Sequence, residues 1–220
     1  AASFSAEDMA GKARCRSALR RELGLAGKAE GPLYCVVSRL TEQKGLHLVL
    51  DALPRLLGQG AQFALLGSGD ASLEAAFHAA AEASPAAVAV RIGYDEPFAH
   101  RLIAGSDVIM VPSHYEPCGL TQMYGLAYGA LPLVRRVGGL ADTVADARLE
   151  TLDTDATGFV FEPFTADALL GAVARALALY RRPADWKRVR QRGMRQRFGW
   201  DAAAARYLAL YGILAPHSAA

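Results

Sequence analysis

Two stretches of this chain gather residue types suited to a phosphorylated, hydroxyl-rich ligand. In the first, Ser38-Arg39-Leu40-Thr41-Glu42-Gln43-Lys44-Gly45, two cations stand five residues apart around a short loop. Fixed positive charge at that spacing, beside a helix N-terminus whose dipole also attracts anions, suits a diphosphate. Two exposed cations in an ordinary strand-to-helix loop have the same spacing, which alone does not separate the readings. In the second, Pro112-Ser113-His114-Tyr115-Glu116-Pro117-Cys118-Gly119-Leu120-Thr121-Gln122, Pro117 discourages helix at Glu116 and Gly119 permits close backbone approach. A helix starting near Leu120 aims the free N–H groups of Gly119, Leu120 and Thr121 at an anion. Glu116, immediately before that anion site, is suited to accept hydrogen bonds from sugar hydroxyls. Composition alone favours a plainer alternative, with Glu116 capping the helix and Cys118 packing as a small hydrophobe.

Positioning both stretches requires strands that end at the same edge. Apolar runs at 33–37, 62–66, 88–92, 108–111, 131–134 and 159–161 are predicted strands, and helical periodicity occupies 46–57, 73–83, 98–104 and 120–129. Strands joined by helical crossovers imply a parallel sheet covered on both faces, an α/β, doubly wound, Rossmann-like fold. Ligands of such sheets sit beyond the carboxyl ends of the strands. Five consecutive strand exits here carry Gly or polar residues: 38–45, Gly67-Ser68-Gly69, Gly93-Tyr94, 112–121 and Gly138-Gly139. Three further helices are expected at 166–180, 184–195 and 200–214. Three units follow: a linker and first helix at 1–30, the Rossmann-like domain at 31–199, and a C-terminal helix and tail at 200–220.

The totals narrow the partners. With 220 residues, 52% of them hydrophobic, the chain can bury a sizeable core, and a net charge of +2 gives no general attraction to nucleic acid or membrane. No apolar run approaches the roughly 18–20 residues that span a bilayer. Three cysteines without metal-ligand spacing suit a reducing compartment, so cytoplasm is expected. Eight Lys/Arg between Arg181 and Arg197, against the single acid Asp185, are read as a solvated helix face rather than an anionic-partner patch. Gly67-Ser68-Gly69-Asp70 is too short for a dinucleotide fingerprint, which sets aside a NAD-dependent oxidoreductase. Asp142 and Asp146 are read as capping or surface residues, and His47, His78, His100 and His217 as surface or packing residues.

SRLTEQKG, followed later by EPCGLTQMYGLAYGALPLVRRVGGLADTV, closely resembles the C-terminal domain of bacterial glycogen synthases and plant starch synthases. The resemblance covers about residues 11 to 214. It implies the C-terminal half of a two-domain GT-B glycosyltransferase that moves glucose from ADP-glucose to the 4-hydroxyl end of an α-1,4-glucan with retention. Arg39 and Lys44 match the basic pair that holds the diphosphate and stabilises departing ADP. Glu116 matches the acid that binds the transferred glucose, and these three form the expected catalytic set. Ser38, Tyr94, Cys118, Gly119, Leu120 and Thr121 form the expected nucleotide-sugar-binding set, with Tyr94 against adenine and the amides of 119–121 at the phosphates. Eight residues beyond Glu116 stands Tyr124 rather than the acid that contacts ribose in related transferases, so the ribose contact is unassigned. His114-Tyr115 departs from the Arg-Phe of many relatives.

The resemblance further implies no cofactor and no metal. It also implies a partner domain, absent from this chain, that carries a Lys-x-Gly-Gly-Leu motif. The isolated chain is therefore expected to bind nucleotide with little or no synthase activity. The exposed-face residues expected to meet that domain are Trp200, Tyr207, Leu208, Tyr211 and Leu214. Two alternatives stand beside this reading: a UDP-sugar transferase of the same architecture, and a non-catalytic nucleotide-binding module.

Overall fold

The computed structural model describes residues 1–214, apart from the side chains of Ala202 and Leu214. His217 and the rest of the expected tail lie outside the described residues. The six strands are β1 (Leu33–Val37), β2 (Gln62–Gly67), β3 (Val88–Ile92), β4 (Val108–Val111), β5 (Leu131–Arg135) and β6 (Phe159–Phe161). They pair in parallel in the order β3-β2-β1-β4-β5-β6. The order reverses between β1 and β4, the place where ligands of doubly wound sheets sit beyond the strand ends. The two stretches singled out from sequence are the loops leaving these two strands.

Nine helices are described: α1 (Ala10–Glu22), α2 (Leu46–Gly58), α3 (Ala71–Ala83), α4 (Glu96–Gly105), α5 (Thr121–Ala127), α6 (Gly138–Thr143), α7 (Ala166–Tyr180), α8 (Pro183–Arg195) and α9 (Trp200–Leu214). Strand side chains alternate between two cores, as a pleated sheet requires. Tyr34, Val36, Phe63, Leu65, Val108 and Met110 face α2, α3 and α7. Leu33, Cys35, Ala64, Leu66 and Ile109 face α1 and α4. Full burial of each large apolar side chain contributes about 1.5–3 kcal/mol, so strands buried on both faces dominate the stability. Burial also pushes the Cys35 thiol up to about 12, leaving it unreactive.

Polar anchors set how the helices sit. The Asp107 carboxylate, buried at the start of β4, accepts hydrogen bonds from Leu33 N (3.0 Å) and Arg16 Nη1 (3.2 Å), tying α1 to two strands. The Lys12 Nζ donates to Ile103 O in the last turn of α4 and to Tyr128 O just after α5, at 3.2 and 2.7 Å. Asp70, Asp95 and Thr165 cap α3, α4 and α7 through first-turn N–H groups.

Two sequence readings need correction. The basic run of α8 is not simply a solvated face. Arg190 Nε donates to Gly129 O, Arg192 clamps the Leu152, Asp153 and Ala156 carbonyls, and Arg188 bridges Asp153 and Asp185. A guanidinium presents several donors at once, which suits it to loop carbonyls left over by short turns. Asp146 is buried, accepting from Val160 N and Arg175 Nη2, and so fastens β6 rather than capping a helix. The short α6 starts directly on the Gly-Gly strand exit of β5. It opens on Gly138 with φ 42°, a conformation glycine tolerates.

Candidate functional site

β1 runs on past its end. Ser38 N donates to Leu66 O and Leu40 N to Ser68 O, so the loop keeps following β2. That contact depends on Gly67 and Gly69: a Cβ at either would stand 1.9 Å from Ser38 O or 2.4 Å from Leu40 O. The Gly-Ser-Gly exit of β2 therefore exists for backbone approach, and it lines the crevice as a consequence.

A single 3-10 turn over Glu42–Lys44 then leads to Gly45, with φ 69°, where α2 begins. A Cβ on Gly45 would lie 2.2 Å from Pro112 O, so the loops of β1 and β4 touch backbone to backbone there. His114 N donates to Gln43 O (2.8 Å) and Gln43 Nε2 to Tyr115 O (3.1 Å), closing the seam. Phe164 backs it from outside, stacked on His114 with ring centroids 4.5 Å apart, while Arg135 Nη1 holds His114 O.

The seam brings Lys44 and Glu116 together. Lys44 Nζ and Ser113 Oγ both donate to Glu116 Oε2, the second at 3.1 Å, which leaves Oε1 for a ligand. Glu116 is 9% exposed, with its carboxylate in an ion pair rather than on a helix end, so it is not a cap. Its main chain is pressed by the next strand exit: Gly139 N donates to Glu116 O, and a Cβ on Gly138 would stand 2.1 Å from that oxygen. Buried Gln122 completes the frame, donating from Nε2 to Cys118 O, Gly119 O and Thr143 Oγ1.

Lys44, Ser113, Glu116, Gly119, Leu120 and Thr121 line one pocket of about 80 Å³. Gly119 turns with φ 72°, and α5 starts at Thr121 with Leu120 at its cap position and no side chain on its first-turn N–H groups. Arg39 and Tyr94 line a second pocket of about 240 Å³, together with Gly67, Ser68 and Gly93. Val37 and Ser38 belong to both, so the two depressions adjoin along the end of β1. Arg39 is exposed on that rim, and Tyr94 projects from the β3–α4 bend with 89% of its surface exposed. Cys118 is exposed beside Gly119 but lines neither pocket. Tyr124 is 45% exposed on α5, edge-on to His100.

Sequence reading gives no role in this frame to Ser113, Gln43 or Gln122, and places Gly138-Gly139 at the crevice only as a strand exit. Only the Gly-Gly pair carried a signal. Among the described residues no cluster of three or more His, Cys, Asp or Glu could hold a metal ion, and no helix is long and apolar enough to cross a membrane.

The profile of the family "Glycosyl transferases group 1" matches residues 20–192. The glycogen synthase of Leptothrix cholodnii is 66% identical over 210 residues, covering 96% of this chain and 43% of that protein. The glycogen synthase of Francisella philomiragia is 57% identical over 205 residues, covering 93% and 42%. The chain thus spans less than half the length of these relatives. Among solved structures, the catalytic domain of starch synthase IV from Arabidopsis thaliana, bound to ADP and acarbose, is similar with a TM-score of 0.89 at 35% identity. That similarity covers 98% of this chain and 45% of the plant one. The fold is accordingly the Rossmann-like half of a GT-B glycosyltransferase.

Proposed function

We propose that this chain, which belongs to the group 1 glycosyl transferases, is the C-terminal, donor-binding half of a cytoplasmic glycogen synthase using ADP-glucose. The observation that carries the reading is the pocket shared by Lys44, Glu116 and the start of α5 at the β1/β4 switch point. In it, a diphosphate lies between Lys44 and the 119–121 amides, with Arg39 on the outer side and adenine against Tyr94. Glu116 Oε1 accepts hydroxyls of the attached glucose. Similarity to a starch synthase whose structure contains ADP supports this placement.

The reaction this implies joins glucose to the 4-hydroxyl of an α-1,4-glucan on the face the diphosphate leaves. The leaving phosphate oxygen takes the acceptor's proton as the glycosidic bond to ADP breaks. Arg39, Lys44 and the α5 N-terminus stabilise the charge that grows on ADP, so this half contributes positioning and electrostatics rather than a nucleophile. The scheme calls on neither metal nor cofactor. The acceptor side belongs to a domain this chain does not contain. Trp200, Tyr207, Leu208 and Tyr211 on α9 are exposed, as expected for a surface that meets it. Leu210 and Ile213 are exposed too, so the apolar surface is wider than one helical stripe.

Calorimetric titration with ADP and UDP tests the donor. ADP is expected to bind more tightly, and Arg39→Ala to weaken it. Equal or tighter UDP binding would turn the assignment toward a UDP-sugar transferase. Elongation of glycogen by the pure chain would contradict the division of labour.

A further inference from the structure

The donor-site reading gives Lys44 to phosphate and Glu116 to sugar, yet the structure pairs the two with each other. Their side chains are only 19% and 12% exposed, so solvent screens the pair weakly. Ser113, fully buried, adds a second donor to the same carboxylate oxygen, which fixes the pair's position at the pocket wall. The carboxylate also lies on the lining shared with the 119–121 segment, where the diphosphate is placed.

We infer that Glu116 discriminates against bare nucleoside diphosphate, because a ligand that takes Lys44 must give the carboxylate something in return. An inference of this kind rests on the donor-site reading above. A nucleoside diphosphate hexose satisfies both sides: its phosphates take Lys44 and its hydroxyls donate to Glu116. A nucleoside diphosphate without sugar takes Lys44 and leaves the carboxylate with Ser113 alone, next to a polyanion. A nearly buried carboxylate that loses its cation beside new negative charge is unfavourable. The donor is thus held and the sugar-free product is expelled by the same side chain.

Glu116→Gln keeps the shape and the Ser113 contact while removing the charge. Calorimetry is expected to find ADP bound about tenfold more tightly by this variant than by the wild type, equivalent to about 1.4 kcal/mol. The preference for ADP-glucose over ADP falls correspondingly. Glu116→Ala, which removes the carboxylate without supplying an amide, moves ADP affinity in the same direction. Thermal melting verifies that each variant is folded. The gain disappears when Lys44→Gln is already present, since no cation is then released. ADP binding by the wild type with no gain in either Glu116 variant overturns the inference and leaves the donor-site reading standing. No ADP binding by any of these proteins sinks both.

Discussion

Gly45 is where the geometry of the site depends most on one missing atom. Its φ of 69° lies in the left-handed region, where a side chain costs roughly 1–2 kcal/mol. Its absent Cβ would stand 2.2 Å from Pro112 O and 3.1 Å from Phe164 Cε2. Opening the first contact to even 3.0 Å requires a shift of 0.8 Å between the loops that carry Lys44 and Glu116. Overpacking of that kind costs about 1–3 kcal/mol more. Gly45→Ala is therefore expected to lose about 2–5 kcal/mol, a fall in melting temperature on the order of 10 °C for a chain of this size. ADP affinity should drop at least about tenfold, about 1.4 kcal/mol, because Lys44 no longer registers with the α5 N-terminus. Gly58→Ala is the control: it lies on the same helix with nothing within 4 Å of its Cβ position. It should leave ADP binding unchanged and stability equal or slightly higher. Calorimetry and melting curves on the two variants decide the matter. A Gly45→Ala protein that melts within about 2 °C of the wild type and binds ADP equally refutes the backbone argument.

Three other perturbations separate binding from stability. Tyr94→Ala should cost about 1–3 kcal/mol of ADP affinity, the usual worth of base–aromatic stacking, without moving the melting temperature, since the ring is 89% exposed. Asp107→Ala strands Leu33 N and Arg16, and should cost about 3 kcal/mol in urea unfolding, with Asp107→Asn milder. That figure is the low end for a buried pair because the Arg16 side chain is 30% exposed. Burial pushes the Lys12 ammonium down from 10.5 to about 7, against the pull of two carbonyls that favour the charged form. The unfolded chain then binds this proton at higher pH than the folded one. Lys12's contribution to stability is present above pH 10.5 and falls as pH drops toward 7. Urea unfolding at pH 7 and 9.5 should therefore show a wild-type advantage over Lys12→Met that is larger at the higher pH.

The sheet was legible because buried parallel strands are short apolar runs with nothing to confuse them. β1, β3, β4 and β6 start and stop where the sequence predicts, and β2 and β5 run one residue longer. The helix edges were less so: α3 and α4 each begin two residues early, at Ala71 and Glu96, because Asp70 and Asp95 cap them. The α5 helix is shorter than its periodicity suggests, since Tyr128 and Gly129 turn toward β5. In the site, charged residues on loops announce themselves by type, so Arg39, Lys44 and Glu116 could be picked out. Their pairing could not, since it depends on a seam of backbone contacts at Gly45, Gln43 and His114 between loops about seventy residues apart. Ser113 and Gln122 were invisible for the same reason: a buried hydroxyl or amide reads as ordinary until its partner is known.

The most direct measurement is a crystal structure of this chain grown with ADP. The β-phosphate should lie within hydrogen-bonding distance of Lys44 Nζ and the Leu120 and Thr121 amides, with adenine against the Tyr94 ring. ADP seated elsewhere, or a Lys44 still bound to Glu116 with phosphate out of reach, would contradict the donor-site assignment.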